Sequence, residues 1–139
     1  MVLAATAAVL AVLMVGTWLV SLAVRDASIV DILWGPAFGA VALVAALVGD
    51  GSSDRRILLL GLVGIWGLRL GGYLAWRNLG HGEDYRYQAM RRHHGPRFGL
   101  ISLVVVFGLQ GVLVWVVSLP VQLAATAAEP ADLGPLAAV

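Results

Sequence analysis

The sequence predicts an all-α protein, a polytopic bundle of transmembrane helices forming a single domain over residues 1–139, and three observations carry that reading. The first is composition: of 139 residues 60% are hydrophobic and only 12% charged, with a mean hydropathy of +0.92. A soluble domain covers its surface with about 25% charged residues. The second is uninterrupted apolar length, for the chain meets its first charge at Arg25. The third is the absence of ten-residue alternation, which removes a membrane β-barrel and leaves helices to satisfy every backbone group internally.

Four spans follow from apolar length, at about 2–24, 28–49, 57–76 and 99–122, each close to the ~20 residues that cross a ~30 Å hydrocarbon core. Residues 2–24 lack the basic n-region and short apolar stretch of a secretory signal, so they read as a retained first helix. The second span opens on Ser28-Ile29-Val30-Asp31, the spacing of a capping box with Asp31 closing the first turn. Trp34-Gly35-Pro36 follows, and a proline at that position removes a backbone bond and frees a carbonyl. The third span carries Gly64, Gly67 and Gly71 on one face, the pattern of close helix packing. After Pro120 the last residues, LGPLAAV, read as the start of another apolar helix.

Between the third and fourth spans lies RNLGHGEDYRYQAMRRHHGPRF (77–98), a segment holding five of nine arginines and all three histidines. The connections on its side carry Arg25, Arg77, Arg86, Arg91, Arg92 and Arg97, against Arg55 and Arg56 on the other. Six against two predicts a cytoplasmic 77–98 segment and both termini outside. The net charge of +1 gives no pull toward nucleic acid, and the absence of cysteine excludes disulfides and thiolate chemistry. Adjacent His93 and His94 have no third ligand at suitable spacing, so no metal site is expected.

Arg69 is the sharpest single residue. Eight positions before Arg77, it sits roughly 12 Å below the cytoplasmic end of its helix. A charge at that depth costs at least ~2.5–3.5 kcal/mol unless paired or hydrated. It either snorkels to the headgroups or meets a partner, and Asp31 is a partner at comparable depth. Tyr73 follows one turn later and could address the same pocket. Gln110 is the other deep polar group, suited to an interhelical hydrogen bond or to a ligand; with Trp34 it forms the substrate-side pair of candidates. Arg77, Arg86, Arg91 and Arg92 could cluster round phosphate oxygens, though their spacing favours a loop resting on anionic lipid.

SIVDILWGPAF (28–38), WGLRLGGYLAWRNLGHGEDYRYQAMRRHHG (66–95) and FGLISLVVVFGLQGVLVWVVSLPVQ (98–122) together resemble the DUF1295 family, a bacterial branch of the steroid 5α-reductase-like membrane enzymes. The resemblance implies a bacterial inner-membrane oxidoreductase of about seven helices. It would use cytosolic NADPH to reduce the carbon–carbon double bond of an enone in a steroid-like or other lipid. On that reading Asp31 and Tyr73 are the catalytic candidates that polarise the carbonyl. Arg69, Arg77, Asn78, Asp84, Arg86 and Tyr87 fall on the cofactor's side. Better-known relatives place a Glu where this chain has Asp31, in a different local sequence. The family's C-terminal GLW…RHPNYFG-type segment has no counterpart here, so the chain resembles the N-terminal half, expected to be inactive without a second half. Two other readings stay open: a small non-enzymatic four-helix scaffold, and half of an S-adenosylmethionine-dependent lipid methyltransferase.

Overall fold

A computed structural model describes residues 1–127, and among these every regular element is helical. Helix α1 spans Val2–Val24, α2 Ile29–Val48 and α3 Ser53–Asn78. The polar segment contains a further helix, α4 (Tyr85–His94), where the sequence reading expected only a loop. Its cause is local: Asp84 caps it by accepting the Arg86 backbone N–H at 2.9 Å, and Tyr85–His94 contains no glycine or proline. Gly80 (φ 86°) and Gly82 (φ 77°) make the preceding turn, in a backbone region that favours glycine.

A 3-10 turn (Gly95–Arg97) leads into α5 (Phe98–Ser102), a π-helical segment (Leu103–Gly108) and α6 (Leu109–Val117). Pro120 lacks an N–H, and the helix breaks at Ser118 before resuming as α7 (Leu119–Thr126). Among the described residues four helical stretches are long and apolar enough to cross a membrane: α1, α2, α3 and the run Tyr85–Val117. The expected helix beginning at LGPLAAV lies outside the described residues.

Helix α2 is the centre of the bundle, touching α1, α3, α6 and α7. Its Val30, Ala37, Val41 and Ala45 are completely buried. The α2–α3 crossing is the tightest. Gly67 and Gly71 are buried on α3, and a Cβ on Gly71 would lie 2.6 Å from Pro36 Cδ and 3.1 Å from the Ile32 carbonyl oxygen. That carbonyl is the one Pro36 cannot bond, so the proline and the glycine face accommodate each other. Helix α1 is tied to α5 at one end and to α7 at the other. Trp18 Nε1 donates to the Gly99 carbonyl at 2.8 Å. At the other end Thr6 Oγ1 donates to Gln122 Oε1 at 2.6 Å, and Gln122 Nε2 donates to Ser118 Oγ at 2.9 Å.

Candidate functional site

The strongest concentration of polar side chains sits where α4 meets the start of α2. Asp31, three residues into α2, holds two partners from α4. Its Oδ2 accepts Arg86 Nη2 at 3.0 Å and its Oδ1 accepts the Tyr87 hydroxyl at 2.9 Å. Arg86 also donates through Nε to Asp84 Oδ1 at 2.9 Å. Tyr87 is buried, with Gln110 of α6 beside its hydroxyl. Trp34 Nε1 donates in turn to Gln110 Oε1. A hydrogen-bonded trio, Arg86–Asp31–Tyr87, therefore stands next to the Gln110–Trp34 pair and leads from the exposed guanidinium toward the bundle.

Glu83 locks this assembly from outside. Its carboxylate accepts the Ala27 backbone N–H at 2.9 Å and both Arg91 Nε (3.0 Å) and Nη2 (2.7 Å). The α1–α2 turn and α4 are thereby joined through one side chain that is only 8% exposed. Burial pushes the Glu83 carboxyl up, but the Arg91 hydrogen bonds, the Ala27 N–H and the Arg91 charge outweigh it and hold the group below the ordinary range. Asp84 is lowered too, through its side-chain and backbone bonds to Arg86. A depressed carboxylate contributes stability that is present above its unfolded pKa and lost as pH falls toward the folded value. Glu83→Gln should therefore cost about 1–2 kcal/mol at neutral pH. Unfolding titrations at decreasing pH should show that difference shrinking below about pH 4, where carboxylates protonate. A constant difference across pH would show that the Glu83 charge is not what holds the turn.

Beside this lock, Ser28, Arg77, Asn78, His81, Gly82, Glu83, Asp84, Tyr85 and Gln88 line an open pocket of about 460 Å³. Arg77 Nε donates to Asn78 Oδ1 at 3.1 Å. On the membrane side, an almost wholly apolar groove of about 400 Å³ runs between α1 and the π-helical segment and α6, walled by Leu10, Met14, Phe107 and Trp115 among others. Among the described residues no three His, Cys, Asp or Glu side chains come together as metal ligands.

Of the residues singled out in the sequence, Asp31, Trp34, Arg86, Tyr87 and Gln110 are brought together. Asp84 borders them, and Arg77 and Asn78 line the adjoining pocket. Two remain apart. Arg69 and Tyr73 are exposed on α3, Arg69 about 200° round the helix from Gly67 and Tyr73 about 200° from Gly71, the two glycines that face α2. The expected Asp31–Arg69 pair does not form, because α3 turns Arg69 away while α4 delivers Arg86 and Tyr87 to Asp31. The capping box is not formed either. Ser28 Oγ donates to Asp26 Oδ1 instead and accepts the Asp84 backbone N–H at 3.4 Å, leaving the Asp31 carboxylate to α4. Glu83 was not singled out by the sequence. Its partners are Ala27, in a distant turn, and Arg91, eight positions on, and neither spacing is a helical signature.

The architecture is that of an integral membrane protein with a polar, surface-facing helix laid over the ends of its spans. Residues 17–139 match the model of the family described as Protein of unknown function (DUF1295), and the chain belongs to that family. No curated protein matches the chain. No solved structure matches it.

Proposed function

We propose that this chain supplies the N-terminal half of an NADPH-dependent membrane reductase acting on the carbon–carbon double bond of a lipid enone. One observation carries the reading: a polar pocket open at the bundle end adjoins Asp31 and the buried Tyr87, whose hydroxyl lies beside Gln110 toward the apolar interior. A charged cofactor from water and an apolar substrate from the bilayer would meet at such a junction.

The residues present suit the cofactor's polar portion. Arg77 offers a guanidinium for phosphate, and Asn78, His81, Tyr85 and Gln88 offer donors and acceptors for ribose or amide groups. NADPH bound there would supply the hydride. The chain's own groups perform the other half of the task. Tyr87 donates its one O–H to Asp31, which also pairs with Arg86, and would turn that O–H toward a carbonyl oxygen when a substrate enters. Gln110 and Trp34, bonded to each other, sit at the inner end beside the Tyr87 hydroxyl. The resemblance assigns carbonyl polarisation to Asp31 and Tyr73. The geometry favours Tyr87 as the hydroxyl partner of Asp31, since Tyr73 lies on the far face of α3. The same reading puts the α4 end in the cytoplasm of a bacterial inner membrane, where the excess of arginines directs it.

The test is ligand-dependent protection of the full chain in lipid nanodiscs. NADPH should slow tryptic cleavage within α4 and raise the melting temperature, and Arg77→Ala should abolish both effects. Protection by S-adenosylmethionine but not NADPH would transfer the site to a methyltransferase. Protection by neither would leave a scaffold role and overturn the proposal.

A further inference from the structure

We infer that the outer face of α3 is a helix–helix interface, and that its occupant is a transmembrane helix carrying a carboxylate opposite Arg69. This goes beyond the proposed reductase site, which uses neither Arg69 nor this face. Leu62, Trp66, Arg69, Tyr73 and Trp76 recur at spacings of four and three residues, the 3.5-residue period of a seam that packs against another helix. All five are exposed, Trp66 at 47% and Tyr73 at 53% among them. Helix α3 meets the rest of the bundle through α2 and α7; Leu62, Arg69, Tyr73 and Trp76 lie on its other side, and Trp66 stands at the seam's edge, where its ring also meets Phe38 of α2.

Arg69 is what makes the seam more than a lipid-facing surface. Among the described residues it has no ion pair and no side-chain hydrogen bond. Asp31, the acid at comparable depth, is already held by Arg86 and Tyr87. An uncompensated guanidinium roughly 12 Å below the helix end is costly in hydrocarbon. A lipid phosphate stays at the headgroup level, so an anion reaching Arg69 must be carried on another protein segment. A second copy docking by the same face would set Arg69 against Arg69, which excludes a symmetric pair.

The glycines agree. Gly67 and Gly71 are explained by α2, whereas Gly61 and Gly72 have nothing within 4 Å of where a Cβ would stand. Glycine in a helix carries a propensity cost, and open glycines beside the seam leave room for a close neighbour.

The experiment uses the full chain in phosphatidylcholine vesicles with a synthetic single-span leucine–alanine helix as probe. The probe carries Glu, Gln or Leu at the depth of Arg69, and association is read by energy transfer. The Glu helix should bind about tenfold more tightly than the Leu helix, the scale of interhelical polar contacts in lipid. Arg69→Gln should bring the ratio close to one, and Arg69→Lys should retain most of it, which separates lost charge from lost folding. Equal binding of Glu and Leu helices would show that Arg69 snorkels, and overturn the inference. Preference surviving Arg69→Gln would place the recognition elsewhere and overturn it too. So would self-association of the chain stronger than binding of the Glu helix.

Discussion

Gly67→Leu is expected to unfold this protein in membrane-mimetic detergent under conditions that leave Gly61→Leu folded. A Cβ on Gly67 would land on the Gly35 carbonyl, and a Cβ on Gly35 would land on the Gly67 carbonyl. Both obstacles are backbone atoms, so no rotamer change relieves them, and the helices themselves must separate. Separation would also lift Gly71 from Pro36 and Ile32 and loosen the surroundings of Phe38, which packs edge-on against Trp66 at 5.6 Å. Overpacking typically costs 1–3 kcal/mol and occasionally more. With two backbones in direct apposition, about 3 kcal/mol or more is expected here. Gly61 sits on the same helix with nothing within 4 Å, so its substitution tests residue chemistry without the clash. Denaturant titration followed by tryptophan fluorescence reads both variants. Equal unfolding midpoints would mean that the α2–α3 crossing is not the interface that holds the bundle.

That crossing is the part of the fold most legible in the sequence. Glycines at 64, 67 and 71 fall on one helical face, the mark of close packing; Gly67 and Gly71 do lie against α2, while Gly64 has nothing within 4 Å of where a Cβ would stand. Apolar length likewise announced the spans, because a hydrocarbon core sets a minimum length that no local detail can disguise. Helix α4 was less legible. Its Asp84 cap is a local signal, but YRYQAMRRHH has no apolar stripe long enough to stand out beside true spans. The candidate site was legible as a set of residues and not as a geometry. Asp31, Trp34 and Gln110 stand out as polar or aromatic groups in apolar runs. Their grouping with Arg86 and Tyr87 depends on how α4 folds back after Gly80 and Gly82, which spacing alone does not fix. Arg69 shows the converse. Its depth was readable, but its direction was set by which face of α3 the glycines claim.

Asp31→Ala should be the most damaging substitution in the Arg86–Asp31–Tyr87 trio, costing about 3 kcal/mol and releasing α4 from the bundle. The carboxylate is the shared acceptor of two donors, and their exposures differ. Tyr87 is buried, so without Asp31 its hydroxyl loses its acceptor and incurs a desolvation penalty of about 1–3 kcal/mol. Arg86 is 55% exposed and keeps Asp84, so its loss of Asp31 adds less than about 1 kcal/mol. The order of effects follows. Asp31→Ala should exceed Asp31→Asn, whose amide oxygen can still accept the Tyr87 hydroxyl. Tyr87→Phe should cost about 1–2 kcal/mol, because it removes the donor together with its need for an acceptor. Arg86→Ala should cost least. A double-mutant cycle between Asp31→Ala and Tyr87→Phe isolates their coupling, which should be most of the Asp31→Ala effect. Trypsin cleavage after Arg91 or Arg92 supplies an independent reading, since a detached α4 exposes both bonds. If Asp31→Ala were cleaved and unfolded no faster than Arg86→Ala, the acid would be a bystander to an exposed ion pair. The polar trio would then lose its role in both the fold and the proposed reaction.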